Sequence, residues 1–130
     1  MSSGGRPLYT RLIPVLPVAD VVAEREFYEK LGFSHFVDPD EPYPPTAFAA
    51  LRHGDDILFG VALSPEFDPA GAESRLWWQF ESTDVWTIHA CAKEANLEIE
   101  QPPQIEPWGR RTLKLRSPNG YVVTFEEIEK

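Results

Sequence analysis

Val18-Ala19-Asp20-Val21-Val22 returns as Ser82-Thr83-Asp84-Val85-Trp86, 64 residues further along the chain. The same displacement lays Gly32-Phe33 over Asn96-Leu97 and Leu51-Arg52 over Leu115-Arg116. It also lays His53-Gly54-Asp55-Asp56-Ile57-Leu58-Phe59 over Ser117-Pro118-Asn119-Gly120-Tyr121-Val122-Val123 without a gap. Identity is low, and any single block is compatible with chance. One offset recurring at helix starts, helix ends, turns and strands points instead to a duplicated structural unit.

Each copy reads alike. Residues 12–18 and 75–82 are expected as strands, the second alternating Leu76, Trp78 and Phe80 against Trp77, Gln79 and Glu81. Asp20 and Asp84 stand where a helix begins, and their carboxylates can accept the free N–H groups of a first turn. Ala23, Phe27 and Leu31 then form one apolar stripe, and Ile88, Cys91, Ala92 and Ala95 another. Gly32 and Asn96 end these helices, because they tolerate the left-handed conformation that stops one. Extended segments follow at about 33–38, 46–53 and 56–63, and again at 97–101, 110–116 and 121–128. Residues 53–56 and 117–120 are hairpin turns, and the proline-rich stretches 39–45, 65–69 and 102–107 read as longer loops. The expectation is an α+β chain, 1–130, folded as a single domain of two βαβββ repeats (about 8–66 and 73–130).

Composition narrows the function. The chain has 130 residues, 42% of them hydrophobic, enough for one core, and no apolar run long enough to span a membrane. Twelve basic against twenty-one acidic residues leave a net charge of −9, which repels nucleic acid and draws cations. A lone cysteine, Cys91, permits neither an internal disulfide nor a structural zinc cluster. Residues 1–7 are small and polar and do not read as a secretory signal, so a cytoplasmic location is expected.

Four words carry a further likeness: Ile13-Pro14-Val15-Leu16-Pro17-Val18-Ala19-Asp20, Phe27-Tyr28-Glu29-Lys30-Leu31-Gly32-Phe33, Pro107-Trp108-Gly109-Arg110 and Ser117-Pro118-Asn119-Gly120-Tyr121. With the paired βαβββ units they resemble the vicinal oxygen chelate superfamily, which includes glyoxalase I, extradiol dioxygenases, fosfomycin-resistance enzymes and bleomycin-resistance proteins. Within it, Pro14-Val15-Leu16 and the Pro-Trp-Gly-Arg word are most similar to the bleomycin-resistance proteins. The resemblance runs from about Arg11 to Glu127 and implies an open, curled mixed sheet around a trough.

The superfamily's enzymes hold a divalent metal there with His, Glu or Gln from the first and last strand of each repeat. Carried over, those positions are Ile13, Gly60, Trp77 and Thr124, none a usual ligand. Their neighbours Pro14, Phe59, Trp78 and Phe125 cannot ligate either. A chain with no metal, no other cofactor and no catalytic residue is therefore expected. His35, His53 and His89 share no ligand spacing and read as surface histidines. Cys91, on an apolar stripe, reads as a structural thiol.

Binding remains. Trp77 and Trp78 are adjacent on a strand and face opposite sides, Trp78 with the apolar set and Trp77 with Gln79. Trp77 suits a ligand face or, equally, packing in a dimer. The resemblance implies that Trp108 lines a drug groove and that Phe36, Asp38 and Tyr43 form its acidic, aromatic rim; a solvated acidic loop is the other reading of that run. Gly60, Thr124 and Gln79 would complete the lining. Glu126 lies on the face of Thr124 and is either a ligand-facing charge, a general base or a solvated carboxylate. Relatives of this kind are implied to form homodimers with grooves at the interface and an N-terminal arm exchanged near a proline matched by Pro14. The expected function is metal-free binding of a small cationic aromatic molecule, such as an antibiotic. The alternatives are a glyoxalase-like or dioxygenase-like metalloenzyme with displaced ligands, and a subunit whose trough is filled by its own side chains.

Overall fold

The computed structural model describes residues 6–8, 10–36, 40 and 44–128. The first unit runs β1 (Val15–Val18), α1 (Val21–Glu29), β2 (Ser34–Phe36), β3 (Phe48–His53) and β4 (Asp56–Leu63). The second runs β5 (Trp78–Ser82), α2 (Val85–Glu94), β6 (Glu98–Ile105), β7 (Arg111–Arg116) and β8 (Val122–Glu127). Each unit forms a four-stranded mixed sheet, ordered β1-β4-β3-β2 and β5-β8-β7-β6, with one parallel pair and two antiparallel pairs. The fold is α+β with open sheets. Among the described residues no helix is long and apolar enough to cross a membrane.

Local chemistry sets the element boundaries. The Asp20 carboxylate accepts the Ala23 N–H at 3.0 Å, and Asp84 accepts those of Trp86 and Thr87 at 3.1 and 3.2 Å. Such caps contribute about 1 kcal/mol each. Gly32 (φ 99°) and Asn96 (φ 57°) take the left-handed conformation just beyond the helices.

Three expectations need correction. The first strand starts at Val15 and the fifth at Trp78, not at 12 and 75, because only from there do the chains pair with β4 and β8. The 102–107 stretch is not all loop: β6 passes through Pro102 and Pro103 to Ile105. This strand is the sheet edge, and the pairing with β7 shifts register on either side of Gln101, so prolines without N–H groups are tolerated. The buried stripe of α1 is Val21, Glu24, Phe27 and Tyr28 rather than one passing through Ala23.

The two units share one core through the helix-bearing faces of their sheets. Phe59 of β4 meets Trp78 (ring centroids 5.1 Å) and Phe80 (5.7 Å) of β5, while Tyr28 of α1 lies 6.3 Å from Phe80. Beside this aromatic seam lies Glu24, fully buried. Its Oε1 accepts the Asn119 side-chain amide (2.9 Å) and the Asn119 backbone N–H (3.2 Å), whereas Oε2 has no partner. Burial raises its pKa above the ordinary carboxylate value, against the lowering effect of Asn119 and Ser117; the Asp20 charge adds a smaller upward push.

A pH dependence follows with a definite sign. Because the folded chain holds this proton more tightly than the unfolded one, Glu24 favours folding as pH falls through its raised pKa. That contribution is lost as pH rises through the same range. Glu106 and Glu100, held low by Thr112 and Arg116 respectively, act only below the ordinary carboxylate range. Glu24→Gln is therefore expected to be at least as stable as the parent at neutral pH, with a flatter profile from mildly acidic to neutral pH. Urea midpoints measured across that range test this; an unchanged slope would show that Glu24 is not the titrating group.

Candidate functional site

Strand periodicity builds one polar face on the second sheet. Register places Gln79 of β5 beside Thr124 of β8 and Glu81 beside Glu126. On the other side of β8, Lys114 and Thr112 of β7 stand beside the same two residues. Successive side chains alternate sides, so these residues lie on the side away from the core that takes Phe80, Leu113 and Phe125, with Thr112 and Thr124 themselves buried there. Trp77, one residue before β5, joins this face and is 67% exposed, whereas Trp78 packs against the core. The Trp77 indole N–H donates to Gln79 Oε1 at 2.8 Å, and the Lys114 Nζ sits 5.3 Å above its ring.

Trp108 reaches the same face from the β6–β7 turn. That turn is closed by the Gly109 N–H on the Glu106 carbonyl and the Glu106 N–H on the Arg110 carbonyl, both 2.8 Å, with Gly109 at φ 94°. The indole is 57% exposed, and its N–H donates to Glu126 Oε2 at 3.0 Å. Arg110 binds the other Glu126 oxygen at 3.5 Å and lies 4.0 Å from Glu81. The Glu126 carboxylate is thus neutralised within the chain. Glu106 forms a second network: its Oε1 accepts Thr112 Oγ1 (2.6 Å), Gln101 Nε2 (3.2 Å) and Gln104 Nε2 (3.4 Å). Those bonds, Thr112 first, hold its carboxyl below the ordinary value.

The open face of the first sheet is different in kind. Val15, Phe36 and Leu58 are exposed on it, with Arg52 over the Phe36 ring at 5.7 Å. A Cβ at Gly60 would stand 2.9 Å from the tip of the Phe48 ring, which would have to shift to admit it. Since the sheets join through their opposite faces, the structure brings Trp77, Gln79, Trp108, Thr124 and Glu126 together on one surface and sets Phe36 and Gly60 on another. Asp38 and Tyr43 lie outside the described residues.

Arg110, Lys114, Glu106, Thr112 and Gln101 were not singled out by the sequence. The alternation Thr112, Lys114, Arg116 along 111–116 is the signal that places them on one side. The hairpin with β6 stayed hidden because 102–107 reads as loop. A groove of about 520 Å³ continues past the sheet end between Thr83, Asp84, Ile105, Arg110, Arg111 and Glu127. Its charged groups have structural partners, Arg111 on Glu127 (2.9 Å) and Glu127 on the Val85 N–H (3.3 Å).

The sequence profile of the glyoxalase/bleomycin resistance protein/dioxygenase superfamily matches residues 11–125. The chain belongs to this superfamily. Its fold is that of a bleomycin resistance determinant encoded on the transposon Tn5 (22% identity, TM-score 0.69, covering 94% of this chain and 100% of that one). It is also similar to the bleomycin-binding protein of bleomycin-producing Streptomyces verticillus, solved with copper(II)-bleomycin (24% identity, TM-score 0.65, 95% and 100% covered). A third similar structure is TnmS3, an antibiotic binding protein from Streptomyces sp. CB03234 (19% identity, TM-score 0.68, 93% and 98% covered). No curated protein is significantly similar to the chain.

The divalent metal of the superfamily's enzymes does not fit these residues. In the observed register the strand partners of Gly60 and Thr124 are Val15 and Gln79, two residues beyond Ile13 and Trp77. Of all six only Gln79 offers a ligand oxygen of the expected kind, and that oxygen accepts the Trp77 N–H. Gly60 is covered by Phe48, and no group of three His, Cys, Asp or Glu converges among the described residues. One amide cannot replace a set of carboxylates and imidazoles.

Proposed function

We propose that this superfamily member is a non-catalytic, metal-free binding protein that sequesters a small cationic aromatic molecule, such as an antibiotic, in a groove of a cytoplasmic homodimer. The observation that carries the reading is the pair of exposed indoles, Trp77 and Trp108, set on one sheet face where no three His, Cys, Asp or Glu converge among the described residues. Flat aromatic cations stack on such rings and gain cation–π attraction. Bleomycin-binding and antibiotic-binding proteins among the structural relatives support the ligand class. In this reading Trp77, Trp108, Phe36 and Tyr43 stack on the ligand, Asp38 supplies charge, Glu126 holds the Trp108 indole in place, and Gly60, Gln79 and Thr124 line the groove.

The dimer has separate support. One chain turns its two open faces away from the shared core, so each face supplies half a groove. Leu8 (93% exposed) and Leu12 (86%) stand unburied before Pro14, as an arm that docks on a partner would leave them. Titration of metal-free bleomycin, followed by tryptophan fluorescence, tests the reading. Saturable quenching is expected; none up to millimolar ligand would overturn the drug-binding proposal. Stoichiometric zinc, nickel, manganese or iron in protein purified without chelator would favour the metalloenzyme instead.

A further inference from the structure

Resting on that reading, we propose that the Trp77 ring and the Glu106 carboxylate form the subsite for the ligand's positive charge, and that the Lys114 ammonium fills this subsite in the free protein. The carboxylates of the second sheet single out Glu106. Glu81 and Glu126 face Arg110, Glu127 binds Arg111, and Glu98 and Glu100 bind Arg116. Among the described residues no arginine pairs with Glu106. Three neutral donors converge on its Oε1 and fix its position, while no described donor reaches Oε2. The cation whose charge it feels is Lys114, opposite Gln101 in the β6–β7 ladder. Lys114 also lies over the Trp77 ring at 5.3 Å, with that ring's edge fixed by Gln79.

An indole face with a cation over it, on the same sheet as an ionised carboxylate that feels that cation's charge, supplies the parts of a site for an organic cation, with the chain's own ammonium as occupant. Lysine suits a removable occupant. Its charge is strongly hydrated and its stem flexible, so it can move into water when a larger, more weakly hydrated cation stacks on the indole. The ligand therefore has to compete with Lys114. Its charge should be delocalised or alkylated and joined to a flat ring, while a compact ammonium gains little over the lysine already present.

The test uses N-methyl-4-phenylpyridinium as cationic probe and 4-phenylpyridine, uncharged at mildly alkaline pH, as its neutral counterpart. Lys114→Met is expected to tighten the cationic probe about 2- to 10-fold, the range a cation–π contact of this exposure implies. Glu106→Gln should weaken it by about tenfold, and neither should move the neutral probe by more than about twofold. Lys114→Gln repeats the first variant with a polar stem. Lys93→Met, an equal charge change on α2, controls for net charge and should have no such effect. In the parent, the Lys114 methylene NMR signals should carry a ring-current shift that Trp77→Leu or saturating cationic probe removes. Parent protein that binds the cation while Lys114→Met and Glu106→Gln leave its affinity unchanged would overturn the subsite and leave the binding function standing. Equal responses of both probes would overturn it too. Absence of binding by either probe and by bleomycin would overturn both proposals.

Discussion

Replacing Asn119 with alanine is expected to destabilise the chain by about 3–4 kcal/mol, a loss of the size seen when several buried polar groups are orphaned together. Asn119 occupies the turn before β8, yet all its side-chain bonds go to the first unit. Its Oδ1 accepts the backbone N–H groups of Ala19 (2.9 Å) and Asp20 (3.0 Å). Its Nδ2 donates to the Asp20 carbonyl and to Glu24 Oε1, both at 2.9 Å. Alanine would leave the Ala19 and Asp20 N–H groups with no replacement partner and strip the buried Glu24 carboxylate of its side-chain donor, leaving it the backbone N–H of residue 119. Asn119→Asp should be as harmful at neutral pH, because it sets a second carboxylate against Glu24, and should recover in part on acidification. Urea unfolding with an unchanged m-value would read the loss directly. A change below about 1 kcal/mol would mean that water replaces the amide at this seam.

The second large effect concerns binding. Trp108→Ala and Trp77→Ala are each expected to weaken a bleomycin-type ligand by about 10- to 100-fold, the range for aromatic anchors in an interface. Removing Trp108 also takes a donor from Glu126 and leaves that carboxylate to Arg110 alone. Trp86 is the control: it is 52% exposed on α2 with Arg111 over its ring at 5.6 Å, so its removal should leave affinity unchanged. Isothermal titration calorimetry separates these outcomes. Losses below about twofold for both Trp77 and Trp108 would place the ligand off this face.

Much of the fold was legible because its signals are local. An aspartate at a helix start, a glycine or asparagine at φ above zero and two tight turns act within a few residues, and their recurrence at one spacing revealed the duplication. Period-two alternation likewise separated Trp77 from Trp78. Glu24 was not legible. A carboxylate on a helix stripe reads as solvated, and its burial is made tolerable by the 117–120 turn, where Asn119, 95 residues away, bonds it. Pro102 and Pro103 misled for a related reason: proline argues against a strand until the strand is known to be an edge.

The site divides along the same line. The sequence by itself determined the two units, the open sheets and the outward turn of Trp77, since each follows from residue type and short-range geometry; the strand register moved the expected metal positions from Ile13 and Trp77 to Val15 and Gln79. Only the tertiary structure decided that Arg110 pairs with Glu126 and Glu81, and that Lys114 lies over Trp77 while no described arginine pairs with Glu106. Charge pairing depends on strands meeting across the sheet, over distances that no local pattern encodes.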